Sequence, residues 1–315
     1  MKVVALAGGV GGAKLAEGLN RLLLPDELTI IVNTGDDFKH FGLHISPDLD
    51  TVCYTLAGLA NKETGWGRAN ETWQAMECIT ELGGPDWFHL GDRDLGLHLE
   101  RTRRLQDGQT LSQVTRQVCQ ALRIRPHVLP MSDVFVPTFV CTDEGELPFQ
   151  EYFVQRSCQP MVTGFRFQNM EKAQPAPGVI EALVDSDLVI VCPSNPWVSI
   201  GPILAVPGIR GALASCRVMA ISPIVGGKAV KGPAAKMYLE LGIQPSAVSV
   251  ARHYGDLLSG FILDQVDCEL TITIQNMGVQ VHVTDTIMAS PAERFRLACE
   301  VVEFGLCLIQ SEASG

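Results

Sequence analysis

The first thirty-odd residues constrain the fold more than any other stretch. An apolar run, Val3-Val4-Ala5-Leu6-Ala7, ends in Gly8-Gly9-Val10-Gly11-Gly12-Ala13-Lys14. Leu15, Leu19, Leu22 and Leu23 follow at helical spacing, Pro25-Asp26 breaks the pattern, and Leu28-Thr29-Ile30-Ile31-Val32 forms a second run. Strands with no polar face belong in a parallel sheet covered by helices on both sides. The expected class is therefore α/β: a Rossmann-like, mostly parallel sheet with helices on both faces.

The alternation recurs downstream. Residues 187–192 and 217–221 read as buried strands, and 87–90, 128–130 and 247–250 as shorter ones, with further strands at Leu263 and within 271–284. Helices are expected over 13–24, 50–60, 68–82, 110–123, 179–184, 233–241 and 291–309, with a short turn or helix at 256–260. The pattern changes at about residue 133. Residues 134–142 look extended, Asp143-Glu144-Gly145-Glu146 makes a turn, and 149–154 run back as an antiparallel hairpin. The expected organisation is a nucleotide-binding core, 1–132 and 176–315, interrupted by a small α+β subdomain over 133–175.

Composition narrows the partners. The 315 residues are 46% hydrophobic and carry a formal net charge of −11, which argues against a broad basic surface for nucleic acid. A phosphorylated ligand would have to be met by local positive potential. None of the ten cysteines forms a CxxC pair, so they are read as buried free thiols in a reducing cytosol. The N-terminal apolar run is too short for a signal peptide, and no segment approaches the ~20 apolar residues of a membrane span. A cytoplasmic protein without a membrane partner is expected.

In an open parallel sheet, ligands bind beyond the carboxyl ends of the strands. Residues 8–14, 33–37, 91–94, 193–201 and 222–232 are the polar or glycine-rich stretches that follow apolar runs. The first departs from both common fingerprints: Leu15 stands where a Walker loop needs Ser or Thr after the lysine, and Lys14 stands where G-x-G-x-x-G needs its last glycine. The physics of an anion site survives. Glycines permit close backbone approach, a helix N-terminus offers N–H groups, and Lys14 adds a charge. Gly226-Gly227-Lys228 with Lys231 is a second such loop, and Ser194-Asn195 offers polar groups between two prolines. Asp36, Asp37, Asp48, Asp50, Asp92 and Asp94 sit in or near the same loops, as Mg²⁺ ligands, partners of Arg93, acceptors for a substrate hydroxyl, or helix caps. His40, His44, His89 and His98 lack a metal-binding spacing.

Taken together, ALAGGVGGAKLAEGL, VNTGDDF, HISPDLDTVCYTLAG, LGDRDL, CPSNPWVSIGPILAVPGI, ISPIVGGKAVKGPAAKM and TDTIM resemble the 2-phospho-L-lactate transferases (CofD, or FbiA in actinobacteria) of coenzyme F420 biosynthesis. The resemblance implies a transferase that joins the deazaflavin Fo to a phospholactyl, phosphoenolpyruvyl or phosphoglyceryl group carried on guanosine diphosphate. The terminal ribityl hydroxyl of Fo attacks the distal phosphorus, GMP leaves, and Mg²⁺ is required. It places Asp50, in the SPDLDT motif, at the deazaflavin, with Asp92 and Arg93 beside it. Arg93 is then a candidate for stabilising charge on the transferred group. Gly8, Gly9, Gly11, Gly12, Lys14, Ser194, Asn195, Gly226, Gly227, Lys228 and Lys231 would surround the donor, and Asp36, Asp37 and Asp50 are the metal candidates. A homodimer is implied. The alternative is a non-catalytic regulator like the YvcK proteins, which share the fold and bind nucleotide sugars. GGVGGAK, SPDLDT and GGKAVKGP favour the enzyme.

Overall fold

A computed structural model describes residues 1–313. Seven strands form one fully parallel sheet: β1 (Val3–Ala7), β2 (Leu28–Val32), β3 (His127–Pro130), β4 (Leu188–Val191), β5 (Val218–Ile221), β6 (Gly260–Asp264) and β7 (Gln280–Thr284). Their order across the sheet is 7-6-5-4-1-2-3. The chain steps outward from β1 through β2 and β3, then returns to the other flank of β1 with β4. Ligands in such sheets bind where the direction of winding reverses, here at the carboxyl ends of β1 and β4. Val3 pairs with both Leu28 and Leu188, so the three central strands start level.

Side chains alternate across the sheet. Val4, Leu6, Ile31, Val189, Val191 and Ala220 enter one core, and Val3, Ala5, Ile30, Leu188, Ile190 and Met219 enter the other. That is the double burial the unbroken apolar runs require. Helix α1 (Gly9–Leu22) lies against the long closing helix Pro291–Ala313. Their contact is close at Gly18, where a Cβ would sit 2.2 Å from the Arg294 carbonyl.

Between β2 and β3 the chain leaves the sheet for most of a hundred residues. It forms a hairpin (Phe38–His40 with Leu43–Ile45) and helices α2 (Pro47–Leu56), α3 (Gln74–Glu81), α4 (Asp92–Gln106) and α5 (Leu111–Ala121). A three-stranded antiparallel sheet (Thr138–Thr142, Gly145–Pro148, Val162–Phe167) follows β3.

Several local expectations are corrected. Residues 247–250 open a helix, Ala247–Tyr254, because Ser246 caps it by accepting from the Ser249 N–H at 3.1 Å. Residues 87–90 form no strand; Trp87 and Phe88 pack with Phe38 and His40 in an aromatic cluster. The hairpin returns through Gly145–Pro148, earlier than expected, and Glu151–Gln155 is a single wide helical turn. Within 271–284, Thr271–Gln275 is helical and β7 is the strand. All ten cysteines are free, but Cys53, Cys119 and Cys192 alone are fully buried; Cys78, Cys268 and Cys307 are exposed. Among the described residues no helix is long and apolar enough to cross a membrane.

Candidate active site

A cavity of about 560 Å³ opens at the point where the winding reverses. Its floor is the glycine loop. Gly9 takes a φ of +61°, which opens α1 immediately after β1. The neighbouring glycines answer to close packing. A Cβ at Gly11 would lie 2.3 Å from the Pro193 carbonyl oxygen, one at Gly12 2.8 Å from Ser194 Oγ, and one at Gly8 2.7 Å from Asp48 Oδ2. Ser194 Oγ donates to the Gly8 carbonyl at 2.7 Å and accepts the Gly8 N–H at 3.2 Å. The loops after β1 and β4 are thereby stitched together. Lys14 projects into the cavity, its ammonium pKa lowered by burial and then by Arg294 and Lys231. Lys231 reaches the rim from the other side and donates to the Thr64 carbonyl. Neither lysine forms a salt bridge among the described residues, although Glu293 is near enough to oppose part of the lowering at Lys14.

The same cavity is also lined by a wall of carboxylates. Asp36 follows β2, and Asp48 and Asp50 lie in the first turn of α2; all three line the cavity and are buried. Burial pushes the Asp36 pKa well above the ordinary 3.8, and repulsion from Asp48 adds to it. Burial likewise drives Asp48 up to about 6, against the hydrogen bonds it accepts from Asn33 and the Gly9 N–H. Two such carboxylates beside a glycine loop form a hard oxygen donor set of the kind that could hold Mg²⁺.

Asp50 differs. Arg101 of α4 grips both of its oxygens, Nη1 on Oδ2 at 3.1 Å and Nη2 on Oδ1. His98 Nδ1 accepts from Arg101 Nη1 at 3.3 Å, since arginine can only donate, which puts the imidazole proton on Nε2, 3.5 Å from Asp94 Oδ1. Tyr54 OH donates to the same Asp94 oxygen at 2.7 Å. Ligand atoms of Asp50, Asp94 and His98 all fall within 4.8 Å of one another. The arginine already pairs with Asp50 and donates to His98 Nδ1, so these residues form an ion-pair network. The remaining walls are flat and apolar: Tyr54, Trp66, Trp87 and Phe88 on one side, and Phe149 stacked on Phe153 at 5.5 Å and 7° on the other. Thr286 and Met288 of the TDTIM segment complete the lining.

The cavity thus gathers Gly8, Gly9, Gly11, Lys14, Asp36, Asp50, Ser194, Asn195 and Lys231 from the sequence-derived set. The others lie outside its lining. Gly12 is buried beneath Ser194. Asp37 turns away to accept from Ser46 Oγ at 2.8 Å and pairs with His44 Nε2 at 2.9 Å. Asp92 begins α4 and accepts from Thr72 Oγ1 and from the Gln74 and Ala75 N–H groups. The Arg93 side chain is exposed, and its backbone N–H donates to Glu71 at 2.8 Å. Gly226 and Gly227, with φ of +55° and +74°, turn a tight hairpin (Ile224–Val225 with Lys228–Ala229) that leaves Lys228 exposed. Sequence reasoning left out Asn33, Tyr54 and Arg101, considered His98 only to set it aside as a metal ligand, and gave Asp48 no role of its own. A signal existed for α4: Asp94, His98 and Arg101 recur at i, i+4 and i+7, one helix face.

The family model described as 2-phospho-L-lactate transferase CofD matches residues 3–295. The chain belongs to the CofD family. Relatives named phosphoenolpyruvate transferase include one from Streptomyces griseus, 43% identical over 314 residues and covering 96% of this chain and 99% of the relative. Another, from Thermobifida fusca, is 40% identical over 320 residues and covers 97% and 98%. These matches make the protein a transferase, as its motifs led us to expect. Among solved structures, protein BH3568 from Bacillus halodurans superposes with a TM-score of 0.58 at 16% identity, covering 90% of this chain and 92% of that one. A second structure of it is described as a member of the UPF0052 family. That likeness concerns the fold alone, and it agrees with the Rossmann-like architecture expected from the sequence.

Proposed function

We propose that this CofD-family protein transfers a phosphoenolpyruvyl group from a guanosine diphosphate-linked donor to the terminal ribityl hydroxyl of Fo, in coenzyme F420 biosynthesis. The observation that carries the reading is a single cavity whose lining brings the N-terminal turn of α1, Lys14 and Lys231 together with the carboxylates Asp36, Asp48 and Asp50. The names of the relatives support enolpyruvyl among the three donors the motifs imply.

In this reading the donor diphosphate lies at the first turn of α1 near Lys14 and Lys231, where the N-terminal end of the helix and the ammonium charges favour an anion. Asp36 and Asp48 would hold Mg²⁺, which supplies positive charge to the diphosphate when bound. The ribityl oxygen forms a bond to the distal phosphorus as the bond to the bridging oxygen breaks, GMP carries off that electron pair, and the hydroxyl proton is released. Such a transfer is largely positioning and charge stabilisation. Asp50, gripped by Arg101, accepts the hydroxyl hydrogen bond and aims the oxygen. Its two oxygens are already engaged, so orientation suits it better than metal binding. Arg93, exposed on α4, has no part in this scheme. The aromatic walls suit a flat tricyclic acceptor.

The test is incubation with Fo, MgCl₂ and each of the lactyl, enolpyruvyl and glyceryl donors, followed by chromatography for GMP and the anionic deazaflavin product. Release of GMP is expected with the enolpyruvyl donor. Its absence with all three donors would overturn the proposal.

A further inference from the structure

Asn33, at the carboxyl end of β2, is wholly buried and uses every polar atom of its side chain. Its Oδ1 accepts the Gly35 N–H at 2.8 Å. Its Nδ2 lies 3.1 Å from Asp36 Oδ1, 2.9 Å from Asp48 Oδ2 and 3.2 Å from the Val198 carbonyl oxygen. The orientation of the amide is decided by its neighbours: three acceptors surround one end and a donor meets the other. Two carboxylates that repel each other are thus drawn to one neutral donor.

The neutrality matters. A lysine or arginine in this place would cancel the charge, as Arg101 does at Asp50. An amide gathers the pair, engages one oxygen of each, and leaves the negative charge uncompensated, which is consistent with the elevated carboxyl pKa values there. The same amide reaches the Val198 carbonyl in the turn after Ser194-Asn195, and Asp48 also accepts the Gly9 N–H. The carboxylate pair, the glycine loop and the loop after β4 are therefore one hydrogen-bonded unit.

We propose that Asn33 is the positioning residue that presets Asp36 and Asp48 for a divalent cation. This rests on the reading of those two aspartates as the cation's holders. Groups that orient metal ligands without touching the metal typically change affinity about 10–100-fold when removed.

The experiment measures Mn²⁺ binding by electron paramagnetic resonance on the full chain, and GDP affinity by calorimetry in EDTA. The variants are Asn33→Ala, Asn33→Ser, and the double variant Asp36→Asn/Asp48→Asn. Asn33→Ala is expected to weaken Mn²⁺ at least tenfold while metal-free GDP affinity stays within about twofold. Asn33→Ser, which retains a hydroxyl donor, should fall between Ala and the native protein, and it decides the matter if the Ala variant does not fold. Mn²⁺ affinity within twofold of native in the folded variants would overturn the inference. So would a parallel loss of Mn²⁺ and GDP binding, which marks a role in the fold alone. If the double aspartate variant binds Mn²⁺ like the native protein, the underlying reading fails instead, and the two failures are distinct.

Discussion

The unusual carboxylate wall makes a quantitative prediction for Asp48→Asn. Burial raises Asp48 from 3.8 to about 6, with repulsion from Asp37 in support. A carboxyl whose folded pKa exceeds its unfolded one favours the folded state fully below pH 3.8, and that contribution is lost as pH rises through 6. At ~1.4 kcal/mol per pH unit, the whole effect is on the order of 3 kcal/mol, of which somewhat under half, about 1 kcal/mol, falls between pH 5 and pH 7. The native metal-free protein therefore carries an ionisation cost at neutral pH that the asparagine variant lacks.

Urea denaturation in EDTA at pH 5, 6 and 7 reads this directly. Comparing native protein with Asp48→Asn at each pH removes the opposing trend of His40 and His253, whose pKa values burial lowers. It also removes any constant cost of altering the bonds from Asn33 and Gly9, because only the slope of the stability difference is used. The variant should gain on the order of 1 kcal/mol relative to native from pH 5 to pH 7, with relief of the repulsion on Asp36 acting in the same direction. Saturating Mg²⁺ at pH 7 should raise the native protein relative to the variant and offset most of this cost, since a cation at a hundred times its Kd stabilises its holder by ~2.7 kcal/mol. A stability difference that stays flat across this range, or that slopes the other way, would refute the argument that burial strains this carboxylate.

Three further outcomes follow from the same geometry. Asp50→Asn should cut GMP release at least about tenfold while leaving GDP affinity nearly native, because the lost group orients the acceptor and not the donor; unchanged turnover would remove Asp50 from the reaction. Arg101→Leu leaves Asp50 as a buried unpaired charge and should cost about 3–5 kcal/mol in chemical denaturation, with much of it recovered when Asp50→Asn is added; equal losses in the single and double variants would show that the pair is not the cause. Lys14→Met should weaken GDP binding by roughly tenfold or more without lowering the melting temperature, as removal of a charge-assisted contact implies, and calorimetry with paired melting curves checks both halves.

The sheet was legible because its strands are buried on both faces, so periodicity and composition point the same way at Val3–Ala7, Leu28–Val32, Leu188–Val191 and Val218–Ile221. Residues 247–250 were not, because a short apolar run with two valines suits either state; the Ser246 cap, one residue earlier, is what decides for helix. The long excursion between β2 and β3 was the least legible part. Its helices serve the cavity and an aromatic cluster, and no local pattern reports which face will find them.

The same limit applies to charge. LGDRDL drew attention to Arg93 because it sits among acids, yet chain neighbours on a helix point in different directions, and Arg101, two turns on, is the one turned inward to Asp50. Lys228 and Lys231 looked equivalent in sequence until a two-residue turn at Gly226-Gly227 sent one outward and left the other on the rim. What the fold adds is a rule about pairing. Arg101 is matched by Asp50, Arg294 by Glu17 and Lys236 by Glu240. Lys14 and Lys231, beside a glycine loop in a chain of net charge −11, form no salt bridge among the described residues. Lys14 is moreover partly buried, close enough to Arg294 and Lys231 for both to lower its pKa against the smaller opposing pull of Glu293. A cation kept in that state is disfavoured by its own protein, and a bound anion would lessen the penalty. The acidic composition therefore does not argue against the proposed phosphate binding, because two lysines without a salt bridge line the cavity where an anionic donor would use them.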